Sequence, residues 1–148
     1  MNNYHIIGPG KATNNSVKQR AQSFITGTVT KEYFNNEWKN KTKNYSVWNE
    51  NGKLRGFALT KKKRGRILEV SLIGTNKGKG IGTVLMKKII DTARRRKYKK
   101  IILDSVTSAF TFYTKFGFKL DKGNNNHLEM SLDLHPAKRR SKTAQLLK

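Results

Sequence analysis

Leu68-Glu69-Val70-Ser71-Leu72-Ile73-Gly74-Thr75-Asn76-Lys77-Gly78-Lys79-Gly80-Ile81-Gly82-Thr83-Val84-Leu85 reads as strand, glycine turn and helix. The first part is apolar and rich in β-branched residues, which suits a pleated, half-buried surface. Glycines then alternate at 78, 80 and 82. Beyond them Ile81, Val84, Leu85, Ile89 and Ala93 recur at the one-face spacing of a helix. A helix start offers unpaired N–H groups and a partial positive charge, and glycines let backbone approach an anion closely. With Lys77 and Lys79 beside it, the turn suits a di- or triphosphate-like group. It is not a Walker A loop, because Gly82 is followed directly by Thr83 without a lysine. It also fits the dinucleotide fingerprint badly, since Gly78-Lys79-Gly80 meets Thr83 where that pattern needs glycine.

Working outward, the residues before this stretch form an antiparallel meander. Strands are expected at Tyr45–Glu50, Leu54–Lys61 and Ile67–Ile73, with Asn51-Gly52 signalling a type I′ hairpin. Upstream lie an edge strand, Tyr4–Ile7, stopped by Gly8-Pro9-Gly10, and a helix through Val17, Ala21, Phe24 and Ile25 that ends at Gly27. A second helix, capped by Thr30, carries Tyr33, Phe34, Glu37 and Trp38. Downstream, Ile101–Ser105 reads as a buried strand, parallel to the third meander strand through a right-handed crossover. Ala109, Phe112, Tyr113 and Phe116 mark a short helix capped by Thr107 or Ser108, and Phe118–Leu120 with His127–Leu134 close the sheet.

The chain of 148 residues is long enough for a core, and residues 1–134 read as one domain followed by a basic tail, 135–148, with no packed structure of its own. There is no cysteine, which removes disulfides, thiolate metal sites and cysteine nucleophiles. His5, His127 and His135 are too scattered to suggest a metal site. No run reaches membrane-span length and no signal-peptide core opens the chain, so an intracellular, cytoplasmic protein without a membrane partner is expected.

Lys and Arg number 32 against 9 Asp and Glu, a formal net charge of +23. Such an imbalance speaks of polyanionic partners, although abundant Lys and Asn throughout also give solvated surface without any ligand. Candidate nucleic-acid contacts are Arg94, Arg95, Arg96, Lys97, Lys99 and Lys100, the hairpin run Lys61-Lys62-Lys63-Arg64, and Lys138, Arg139 and Arg140 of the tail. These would touch phosphates rather than bases.

The element order, with Lys77-Gly78-Lys79-Gly80-Ile81-Gly82 and the later Ala109-Phe110-Thr111-Phe112-Tyr113-Thr114-Lys115-Phe116-Gly117-Phe118, resembles the GNAT superfamily of N-acetyltransferases. The family motifs are Q/R-x-x-G-x-G/A and A-x-x-F/L-Y-x-K-x-G-F, and both fit in order. The resemblance implies an α/β fold: a mixed, mainly antiparallel sheet, a central parallel pair splayed for acetyl-CoA, and four flanking helices. It implies acetyl-CoA as cosubstrate, held by Leu72, Ile73, Lys77, Gly78, Lys79, Gly80, Ile81, Gly82 and Thr83. It implies Tyr113 as the general acid that meets the departing CoA thiolate, a phenol near 10 facing a thiol near 8.5. The acceptor is expected to be a primary amine of a protein or peptide, because so positive a protein repels polycationic small molecules. The alternative is the same scaffold used to bind nucleic acid non-specifically, as a nucleoid or virion component with weak or no catalysis.

The sequence departs from the family in three places. Lys77 stands for Gln or Arg, and Val106 for an asparagine common three residues before the second motif's alanine. Arg66 and Leu68 occupy the strand positions where relatives often carry a glutamate base, and Glu69 has the wrong parity to replace it. Asp104, water or a substrate group is left to take the amine's proton, and the positive field should favour the neutral amine.

Overall fold

The structure, a computed structural model, describes residues 4–11, 15–24, 30–39, 42–76, 80–124 and 127–134. Seven strands form one sheet: β1 (Tyr4–Lys11), β2 (Lys43–Asn49), β3 (Leu54–Lys63), β4 (Ile67–Thr75), β5 (Lys100–Ser105), β6 (Lys119–Gly123) and β7 (Leu128–Asp133). Their order is β1-β2-β3-β4-β5-β7-β6, mixed, with β4 and β5 as the parallel pair. Four α-helices accompany them among the described residues: α1 (Asn15–Ala21), α2 (Lys31–Lys39), α3 (Ile81–Arg95) and α4 (Phe110–Thr114). The architecture is the expected GNAT-type α/β arrangement.

The chain divides into two compact units, Met1–Lys61 with Val70–Ile89, and Lys62–Glu69 with Ile90–Lys148. The first has an aromatic core. Phe34 and Trp38 from α2 meet Phe57 of β3 with ring centroids 6.1 and 6.0 Å away, and Ala21, Leu54, Leu59 and Leu72 complete the cluster. Thr30 caps α2 as expected: its hydroxyl accepts from the Tyr33 N–H at 3.0 Å. Glu37 lies at the edge of this core with its carboxylate 2.8 Å from Lys61 Nζ, an ion pair that is close but off the hydrogen-bonding axis.

Several local expectations change. The hairpin after β2 is present, but Asn51 is not among the residues with positive φ, which a type I′ turn requires. The Gly52 N–H donates to the Asn49 carbonyl at 3.1 Å, Gly52 takes φ 78, and the Asn49 N–H donates to the Lys53 carbonyl at 2.9 Å. This is a three-residue loop with a left-handed glycine. The Asn49 side chain organises it by accepting from the N–H groups of Asn51 and Lys53 at 2.9 and 3.0 Å. Gly8-Pro9-Gly10 does not end β1. Pairing with β2 resumes beyond it with a register shift between Ile7 and Gly10, as an edge strand allows.

The second unit holds β5, β7 and β6 as an antiparallel group in which Ile101 faces Leu132 and Leu103 faces Met130. Thr107 to Ala109 form a 3-10 turn, so α4 begins only at Phe110. Ala109 stands at its cap with no side-chain bond, in place of the expected Thr107 or Ser108 cap.

Candidate active site

β4 alternates strictly, with Leu68, Val70, Leu72 and Gly74 buried and the residues between them half-buried. Leu72 therefore turns its side chain into the aromatic core, and Ile73 sits on the other face. At Leu72 only the backbone remains to meet a ligand, whereas the Ile73 side chain is half-buried on the other face. Glu69 shares the parity of Ile73 and not of Leu72, as expected, and its carboxylate lies 3.5 Å from Lys63 Nζ. Tyr33, on α2, extends its hydroxyl to the Ser71 carbonyl at 3.4 Å.

After Thr75 the ladder continues for one more bond, from the Asn76 N–H to the Arg55 carbonyl at 3.1 Å. Lys77, Gly78 and Lys79 lie outside the described residues. Gly80 follows with φ 71, a conformation that disfavours a side chain even though the space around it is open. Its carbonyl accepts the first intrahelical bond, from the Val84 N–H at 3.2 Å. The N–H groups of Ile81, Gly82 and Thr83 thus have no partner within the helix. No acidic residue lies in the first turn to compete for them. This donor set, at the positive end of a 15-residue helix, fits a phosphate or diphosphate group.

Two glycines that sequence reading passed over allow close packing here, and Gly56 is the one against which the helix start sits. A Cβ on Gly56 of β3 would lie 2.6 Å from Ile81 Cγ2 and 3.2 Å from the Gly74 carbonyl oxygen, and one on Gly74 would lie 2.7 Å from Phe57 Cε1. Ile81 is fully buried. The bare backbone of β3 is what lets the first residue of α3 settle beside the end of β4. Only the strand pairing could have revealed this, because an isolated glycine in a strand signals close approach without naming what approaches. Asn76 was also missed. Its Oδ1 is buried and has no hydrogen-bond partner among the described residues, an acceptor held at the entrance to the turn.

Tyr113 belongs to the second unit. It is 5% exposed and stands edge-on to Phe112 and Phe118, with centroids 5.1 and 5.8 Å away. The Phe116 N–H donates to its carbonyl at 3.0 Å, which closes the short helix ahead of Gly117. Burial pushes the phenol up from 10.0 to about 12. This widens the expected gap between phenol and thiol, so the group stays protonated throughout the physiological range.

All nine carboxylates lie among the described residues. Those of Glu37, Glu69, Asp91 and Asp121 are within ion-pair distance of a lysine or arginine. Asp104 is exposed and faces Glu129 across the β5–β7 pair. No group of three or more His, Asp or Glu among the described residues could hold a metal ion, and no described helix is long and apolar enough to cross a membrane. Of the expected nucleic-acid contacts, Arg94, Arg95, Arg96, Lys97 and Lys99 are exposed and Lys100 is half-buried. Lys138, Arg139 and Arg140 lie outside the described residues.

A family model described as Acetyltransferase (GNAT) domain matches residues 12–144. The chain belongs to the GNAT acetyltransferase family. Among solved structures it is similar to the ribosomal-protein-S18-alanine N-acetyltransferase of Escherichia coli, at 17% identity and TM-score 0.72, over 95% of this chain and 98% of that one. It is similar to a Bacillus subtilis acetyltransferase in complex with CoA, at 18% identity and TM-score 0.68, over 90% and 99% of the two chains. It also resembles the PaiA N-acetyltransferase of Thermoplasma acidophilum in complex with coenzyme A, at 14% identity and TM-score 0.68, over 88% and 99%. At these identities the likeness is one of fold. A comparison with curated proteins finds no match.

Proposed function

We propose that the protein transfers an acetyl group from acetyl-CoA to a primary amine of a protein or peptide. The observation that carries this reading is the helix start at Gly80–Thr83. It presents three backbone donors, no competing acid, and a bare strand surface beneath its first residue. The diphosphate of the coenzyme would be held by backbone N–H groups of the turn from Lys77 to Thr83. The pantetheine arm would be held by the β4 backbone at Leu72 and Ile73. CoA in two structures of similar fold supports the same ligand.

When bound, acetyl-CoA supplies an acyl group activated as a thioester. Tyr113 is the residue that the second motif assigns to the leaving sulfur. In that role Tyr113 Oη would donate a hydrogen bond to the departing sulfur while the acyl group passes to the acceptor nitrogen. With the phenol near 12 and a thiol near 8.5, donation as a strong hydrogen bond to the thiolate is favoured over complete transfer. The proton of the amine passes to water, since the strand positions of a glutamate base hold Arg66 and Leu68.

Calorimetric titration with acetyl-CoA, followed by mass measurement of a peptide panel after incubation, tests the reading. Binding in the micromolar range and a gain of one acetyl group on a peptide amine are expected. No heat of binding at high micromolar acetyl-CoA would remove it.

A further inference from the structure

The second unit joins two basic runs that lie about thirty residues apart in the chain. Residues 62–66 carry four cations and residues 94–100 carry six, with no acid in either. The Arg66 guanidinium donates from Nε to the Lys97 carbonyl at 2.8 Å and from Nη2 to the Arg96 carbonyl at 3.1 Å. The Lys99 N–H returns a bond to the Arg66 carbonyl at 2.8 Å. The hairpin between β3 and β4 is thereby fastened to the C-terminal end of α3.

That helix end closes as a Schellman motif: the Lys97 N–H donates to the Arg94 carbonyl and the Tyr98 N–H to the Ala93 carbonyl, both at 3.0 Å. Glycine usually takes the left-handed position of such a close. Here Lys97 takes it, with φ 66, and Arg66 opposite has φ 62; they are the only non-glycine residues of positive φ among the described residues. Strained backbone persists where something else is gained, and it clusters at functional sites. The strain here keeps cations where glycine would relax the chain.

The charges are also available. Arg66 is used in the capping, Arg95 lies 3.4 Å from Asp91, and Lys63 lies 3.5 Å from Glu69. Arg64, Arg94, Arg96, Lys97 and Lys99 are exposed, with no ion pair among the described residues. The C-terminal end of a helix ordinarily repels anions, but the Arg66 guanidinium binds the Arg96 and Lys97 carbonyls just beyond it and sets a positive charge against that end. Guanidinium forks match phosphate oxygens. A lipid surface would call for apolar side chains to insert, and the exposed large hydrophobics among the described residues, Ile7, Tyr33, Val106 and Leu120, all lie outside this junction.

We propose that the junction of the β3–β4 hairpin with the end of α3 binds the phosphate backbone of nucleic acid without reading bases. The site rests on no assumption about acyl transfer. The test is fluorescence anisotropy of the full chain with labelled single-stranded RNA and duplex DNA of mixed sequence, titrated between 50 and 200 mM KCl, beside anionic phosphatidylserine vesicles. Contacts from about five cations give a log–log salt slope of about −4. Arg64→Glu combined with Arg96→Glu should weaken nucleic-acid binding at least tenfold and flatten the slope by about 2. Lys31→Glu combined with Lys53→Glu makes the same change of charge at exposed positions of the first unit, and should cost less than threefold.

Lys97→Gly should bind more weakly by about threefold yet melt at a higher temperature, which separates lost contact from lost fold. Preference for RNA or for duplex DNA tells the two sources of phosphate apart. Equal loss in both double variants, loss in neither, or tighter binding to vesicles than to either nucleic acid would overturn the proposal.

Discussion

Burial leaves Tyr113 with its hydroxyl in a setting that disfavours the phenolate, and this has consequences for catalysis and for stability. In the proposed reaction, a phenol that donates to the leaving thiolate would contribute in the range of general acids, so Tyr113→Phe is expected to lower kcat about 10²-fold. Acetyl-CoA affinity measured by calorimetry should stay nearly unchanged. The stability effect has a definite sign. Between pH 10 and 12 the folded protein keeps a proton that the unfolded chain has already released. The stabilisation is therefore complete below pH 10 and is lost as pH climbs through the folded value. Denaturant unfolding at pH 9 and pH 11 should show the wild type losing about 1.4 kcal/mol more than Tyr113→Phe over that interval. Equal losses would mean that the hydroxyl is solvated. The motif reveals which tyrosine to examine, whereas its shifted acidity is set by how completely the fold buries the ring, which residue spacing does not measure.

At the scale of elements, periodicity made β4 and α3 legible. Alternating burial in one and a 3.6-residue stripe in the other are consequences of having one wet and one dry side. Features decided by side-chain bonds across a turn were not legible. Asn51-Gly52 signals a hairpin, yet the loop type is chosen by the Asn49 carboxamide two residues earlier, and the start of α4 is shifted by a 3-10 turn. Asn49→Ala should cost about 1–2 kcal/mol by thermal unfolding, because two backbone donors lose their acceptor. The placement of α3 was hidden too, since it depends on Gly56 lying beneath Ile81. Gly56→Val would lift the helix start from the strand. Calorimetry should then show at least tenfold weaker acetyl-CoA binding. Unchanged binding would mean that the amides of Ile81 to Thr83 do not hold the ligand.

On the scale of the whole molecule, charge dominates. The count of 32 cations against 9 anions was plain in the sequence, but its arrangement was not, because Arg66 and Lys97 meet only through the fold. Repulsive pairs far outnumber attractive ones, and salt screens both: the Debye length falls from about 10 Å at 0.1 M to about 3 Å at 1 M. Melting temperature should therefore rise with sodium chloride, the reverse of a protein held by surface ion pairs.

In the proposed reaction the same field would act on the acceptor amine. A protonated amine approaching a surface of this sign is disfavoured relative to the neutral amine, so its pKa falls below the reference near 10.4 for lysine. With Arg66 and Leu68 in place of a carboxylate base, the proposed reaction would rely on this shift, which raises the fraction of amine that can attack. The acid limb of the kcat/KM profile for a lysine peptide should lie below 10 at low salt. It should move up as salt screens the field, by a few tenths of a pH unit between 50 and 500 mM. A limb fixed at the unperturbed amine value and indifferent to salt would instead require a discrete base, and Asp104, exposed on β5, would be the first residue to replace.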